Sequence, residues 1–149
     1  MFGAMKFAKT AGRKLGGFFK GRKGKEKLEK EVSDMGLDAD GVNIDVDADG
    51  QVTISGNAVS QEMKEKIILA VGNVSGVSSV NDEASTTDGG TASQFHEVVR
   101  GDTLWAVSKK YYGKGSRYME IFKANEPMLS HPDKIYVGQM LRIPADEKA

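Results

Sequence analysis

The chain has 149 residues, 28% of them charged and 39% hydrophobic, the balance of a soluble globular protein with room for one average domain or two small ones. It holds no cysteine, which excludes a disulfide framework, a thiolate metal site and a cysteine nucleophile, and no stretch approaches the apolar length of a membrane span. The formal charge of zero is unevenly spread: residues 1–30 carry +8, residues 31–94 carry −10 and residues 95–149 carry +2.

A basic head of this kind suits an anionic surface, or the acidic body of its own chain. Residues Ala4, Phe7, Ala8, Ala11, Leu15, Phe18 and Phe19 fall on one side of a helical wheel, with Lys6, Lys9, Arg13 and Lys20 on the other. The spacing predicts a basic amphipathic helix over Ala4–Phe19, interrupted near Gly12 or Gly16. Such a helix can lie on an anionic bilayer. Docking on the following domain is the favoured alternative, because glycines at 12, 16 and 17 weaken a free-standing helix. Lys6, Lys9, Arg13, Lys14 and Lys20 also break any secretory apolar core, so a cytoplasmic location is expected. Gly21–Lys25 reads as a solvated hinge.

Leu28, Val32 and Met35 recur at helical spacing and Gly36 supplies a stop, which predicts a helix over Lys25–Met35. Val42, Ile44 and Val46 alternate, as do Val52 and Ile54, so two strands meet through Asp47-Ala48-Asp49-Gly50. The same aspartates imitate the start of a calcium-binding loop. That reading fails, because the twelfth position is Gly56 instead of glutamate and the flanks read as strands. Ser60 can cap a helix in which Met63, Ile67, Ala70 and Val71 share a face, and Val77 and Val80 open a third strand. Between them, Gly72-Asn73-Val74-Ser75-Gly76 stops the helix and turns the chain. A helix C-terminus leaves carbonyl oxygens without intrahelical partners at the negative end of the dipole, so this turn can present neutral oxygens to a cation. More commonly, such a sequence is an ordinary glycine cap.

Val42 to Val80, with Gly50-Gln51-Val52-Thr53-Ile54-Ser55-Gly56 and Val74-Ser75-Gly76-Val77, resembles a BON domain, a small α/β module. The polar run Ala84 to Ser93 reads as a flexible linker. After it, Gly101-Asp102-Thr103-Leu104, Asn125 and the Gly138-Gln139 to Ile143-Pro144 ending resemble a LysM domain along its whole length. The residues agree: Asp102 or Thr103 can cap a helix with Leu104, Val107 and Tyr111 inward, Ser116 can cap a second bearing Ile121, and Phe95–Val99 and Met140–Ile143 supply strands. The LysM resemblance implies a shallow groove for N-acetylglucosamine-containing glycans, drawing on Gly101, Asp102, Thr103, Leu104, Asn125, Pro127, Ile135 and Tyr136. Leu104 and Ile135 as core and Asp102 as a cap are the structural alternatives. His96 and His131 lack any recognisable partner pattern and read as surface histidines, so no enzyme is expected.

The combination of a short basic helix, one BON domain, a polar linker and a LysM domain resembles the bacterial family of cytoplasmic potassium-binding proteins. Phe7-Ala-Lys-Thr-Ala-Gly-Arg-Lys-Leu15, Ser60-Gln-Glu and Ala70-Val-Gly-Asn-Val-Ser-Gly-Val77 carry the likeness. It implies a small monomeric sensor or buffer, with potassium held by main-chain carbonyls of Ala8, Ala11 and Arg13 in the first segment and Gly72, Val74 and Val77 in the turn. The expected fold is α+β in two small domains. Residues 1–24 are the basic helix and hinge, 25–85 the BON domain (α-β-β-α-β), 86–94 the linker, 95–145 the LysM domain (β-α-α-β) and 146–149 a tail. A glycan-binding adaptor is the second reading and peripheral membrane attachment the third; no nucleic-acid partner is expected.

Overall fold

The computed structural model describes residues 4–7, 21–47 and 49–146. In the first half, β1 (Ala4–Lys6), β2 (Val42–Val46), β3 (Gln51–Ala58) and β4 (Ser79–Thr86) form one sheet in the order β1-β4-β3-β2. The hairpin sets Ile44 against Ile54, while the α2 crossover makes β3 and β4 parallel, with Val52 opposite Val80. These inward residues are at most 2% exposed and share a core with Leu28 and Val32 of α1 (Gly21–Asp34) and Ile67 and Val71 of α2 (Gln61–Gly72). Ser60 caps α2, accepting from Met63 N at 3.0 Å.

In the second half, β5 (Gln94–Glu97) pairs antiparallel with β6 (Met140–Ile143). Between them come α3 (Leu104–Tyr112), a 3-10 turn at Gly115–Arg117 and α4 (Tyr118–Ala124), around Leu104, Val107, Ile121, Leu129 and Leu141. The whole is α+β. Among the described residues no helix is long and apolar enough to cross a membrane.

The structure departs from the sequence reading at several points. Ala4–Lys6 is an edge strand paired with β4, with Met5 opposite Val80, and Phe7 is buried in the first core, so the expected helix does not begin at Ala4. The rest of that helix lies outside the described residues. Gly21–Lys25 opens α1 instead of forming a hinge. The polar run belongs to β4 as far as Thr86, with Ala84 buried and Glu83 and Ser85 exposed. Beyond it, Asp88 accepts from Gln61 N at the start of α2 and Ser93 N donates to Glu65 at 2.8 Å, so the run is tied down at both places. Ser116 caps nothing: it sits inside the 3-10 turn, and α4 starts after Arg117 with no side-chain cap.

The two halves meet along α2. One side of this helix faces the sheet and another faces β6, whose Met140 joins the first core. Glu65 and Arg142, 1% and 6% exposed, pair across the contact at 3.0 Å. Arg142 further donates to Ala124 O, and Glu65 accepts from Gln61 Nε2 and Ser93 Oγ. Both charges are therefore paired and hydrogen-bonded, the condition for burying them.

Candidate functional site: the turn after α2

The helix ends because Gly72 and Asn73 stop its ladder. Asn73 takes a non-helical ψ of 21° while its N–H reaches back to Leu69 O and Val71 O. Val77 N then donates to Val74 O at 3.1 Å, and Gly76 adopts φ 104°, a left-handed value that suits glycine. Val74 and Val77 are fully buried beneath this turn.

Two other segments converge on it. Phe7 N donates to Ser78 O at 2.9 Å, and Ser78 N donates to Gly50 O at 2.8 Å. The far end of the Phe7 ring packs against Gly72, where an added Cβ would stand 2.1 Å from Phe7 Cζ. From the hairpin side, an added Cβ at Gly50 would stand 2.2 Å from Gly76 O, and Ser78 Oγ donates to Asp49 O. Gly72, Val74 and Val77 thus share one short turn, and the N-terminal segment passes it at Phe7. Ala8, Ala11 and Arg13 lie outside the described residues.

The donor chemistry of the turn is main-chain carbonyl. Among the described residues no group of three or more His, Cys, Asp or Glu could hold a metal ion. Asp47 sits nearby in the hairpin, but its Oδ1 already accepts from Asp49 N and Gln51 N.

The residue that sequence reasoning missed is Asn73. Its Nδ2 donates to Met140 O and its Oδ1 accepts from Met140 N, both at 2.9 Å, so one side-chain amide completes the backbone of β6. Its carbonyl oxygen faces the Tyr136 hydroxyl at 3.5 Å. An asparagine after a helix is legible as a cap; its partner 67 residues away is not.

In the second half, a cleft of about 410 Å³ opens between the turn after β5 and the loop before β6, lined by Thr103, Leu104, Trp105, Tyr118, His131, Pro132 and Asp133. Trp105 is 55% exposed, with its ring centroid 6.0 Å from that of Tyr118. Of the residues expected here, Thr103 and Leu104 line the cleft. Thr103 is also the N-cap of α3, accepting from Ala106 N, and Leu104 is buried in the core. Gly101 is exposed with φ 90°. Asp102 is no helix cap: its carboxylate accepts from Val99 N and meets His96 Nε2 at 2.8 Å. Burial opposes its charge, but these hydrogen bonds outweigh it and hold its pKa below the ordinary value. His96, expected at the surface, is 7% exposed, with Tyr111 Oη 3.0 Å from its other ring nitrogen. Asn125 is 1% exposed, donating to Ile121 O and Arg142 O and accepting from Arg142 N. Pro127 follows a cis peptide bond, Ile135 packs on the core and Tyr136 faces Asn73, so none of the three lines the cleft. Trp105 and Tyr118 line the cleft although neither is among the groove residues expected from the resemblance; a tryptophan beside a capping threonine was the available signal.

Comparison with known proteins agrees with this architecture. Residues 24–88 match the BON domain family and residues 96–144 the LysM domain family, which defines a two-module BON–LysM protein. The potassium binding protein Kbp of Escherichia coli O6:H1 (strain CFT073) is 49% identical over 149 residues, covering 97% of this chain and 99% of that protein. The chain belongs to the family of that protein. A shorter likeness, 32% over 63 residues, links 36% of the chain to 29% of the uncharacterized protein YqbP of Bacillus subtilis (strain 168).

Proposed function

We propose that this chain is a cytoplasmic, monomeric potassium-binding protein, a sensor or buffer and not an enzyme. It holds the ion through carbonyl oxygens of Gly72, Val74 and Val77 together with those of Ala8, Ala11 and Arg13. The 49% identical relative bears the name of a potassium binding protein, and the carrying observation is the convergence on the turn. Phe7 packs on Gly72 and bonds Ser78, so the chain entering residues 8–13 starts beside the turn's carbonyls. Potassium is large and singly charged, and neutral carbonyl dipoles can replace its hydration shell. A harder divalent ion favours carboxylate oxygens.

A ligand shared by two segments couples binding to order. Potassium stabilises the folded chain by linkage and compacts its N-terminal region. The test compares thermal melting and amide exchange of residues 4–19 in potassium and sodium buffers of equal ionic strength, with calorimetry across the monovalent series. A higher melting temperature and slower exchange in potassium are expected; identical values in the two salts overturn the reading. The second reading, an N-acetylglucosamine-containing glycan on the LysM half, is favoured by the exposed Trp105 beside Tyr118. Chitin fragments would then shift Trp105 fluorescence, with or without potassium.

A further inference from the structure

We propose that Asn73 is a positioning residue for the ion turn, so that β6 of the LysM half sets the potassium affinity of the BON half. The inference rests on the potassium reading and adds to it which residue governs the site. Asn73 separates two of the proposed ligands, Gly72 and Val74. The two peptide planes flanking its Cα carry the Gly72 and Asn73 carbonyls, and the orientation of Val74 follows from them.

Each polar group of Asn73 has a partner. Its N–H closes α2, its side-chain amide is bound twice to the Met140 backbone, and its carbonyl faces Tyr136. At 5% exposure no water replaces those side-chain bonds without displacing β6. A carbonyl site for a large ion depends on several dipoles aimed at one point, and a residue clamped at both ends of its side-chain amide keeps that aim. Binding free energy flows both ways through such a link: if β6 holds the turn in its ion-ready shape, the ion must in turn strengthen the hold of Asn73 on β6.

The rest of the interface separates this claim from mere domain adhesion. Glu65, two turns earlier on α2, and Arg142 of β6 hold the same two halves together, and their side-chain hydrogen bonds go to each other, Gln61, Ser93 and Ala124, not to Gly72 or Val74. Glu65→Gln therefore loosens docking and leaves the turn alone, whereas Asn73→Leu, with the same number of side-chain heavy atoms and the same branching but without donors or acceptors, releases the turn.

The experiment uses the full chain and potassium chloride titrated by calorimetry against a sodium background. Asn73→Leu is expected to weaken potassium binding by at least about fivefold, while Glu65→Gln lowers the melting temperature with affinity within about twofold of the unaltered chain. On the unaltered chain, potassium is expected to slow exchange of the Met140 amide, bonded to Asn73, more than that of the Val98 amide, bonded within the LysM half to Gln139 O. This second measurement decides the matter even where Asn73→Leu does not fold. Equal affinity losses in the two variants, an unchanged affinity in Asn73→Leu, or equal slowing at Met140 and Val98 each overturn the proposal while leaving the potassium reading intact. Failure of the unaltered chain to bind potassium overturns both.

Discussion

Gly72 is where one missing carbon decides the geometry. Phe7 lies where a Cβ would be, and the conflict is with an aromatic ring held in place by its own backbone bond to Ser78. Gly72→Ala is expected to destabilise the chain by about 1–3 kcal/mol, as overpacking does, and to lower the melting temperature by several degrees; an unchanged melting curve would mean Phe7 does not pack there. The glycine and its role as a helix stop were legible in the sequence. The ring against it was not, because Phe7 also fits a helical face with Ala4, Ala8 and Ala11, and a three-residue edge strand is too short to display a period of two. His96 was misread for a recoverable reason. It has the same strand parity as Val98, and both point inward.

At the scale of elements, α2 shows how far pattern goes. Its Ser60 cap and its face of Met63, Ile67, Ala70 and Val71 were readable, and the unbroken Ile67-Ile68-Leu69-Ala70-Val71 run signals burial on more than one side. What occupies the second side was not written into α2 at all; it is β6, and the buried Glu65 is explained by Arg142 and Ser93 across the contact and by Gln61 on its own helix. Helix α3 is the converse case, a start set locally. Thr103→Ala removes the hydroxyl that accepts from Ala106 N and is expected to cost about 1 kcal/mol, read as a lower urea midpoint with an unchanged slope. Asp102→Asn should act differently, through His96 and Val99, because the carboxylate serves the β5 side of the turn and not the helix.

For the whole molecule, the contact between halves links pH to stability. Burial disfavours the Glu65 carboxylate, but hydrogen bonds from Gln61 and Ser93 and the charge of Arg142 outweigh it and hold its pKa below the ordinary 4.5. A lowered folded pKa means the stabilisation is fully present above the ordinary carboxylate range and is lost as pH falls through the folded value. Glu65→Gln, leaving buried Arg142 with only the exposed Glu62 carboxylate at 4.0 Å as a counter-charge, is expected to cost about 3 kcal/mol near neutrality. Its stability should then fall less steeply below about pH 4.5 than that of the unaltered chain, as followed by melting across a pH series. The sequence presented two modules on a polar tether; it could not show that the tether is pinned to α2, because Asp88 and Ser93 look like any loop residues until Gln61 and Glu65 stand beside them. The pairing of β1 with β4 has a consequence in time. Ala4 lies opposite Asn81, so β1 waits through translation of the entire hairpin and α2 before its neighbour exists. Phe7 accordingly arrives as a late clasp, and a nascent chain halted before β4 would have neither that edge of the sheet nor the backbone bond that ties Phe7 to the turn.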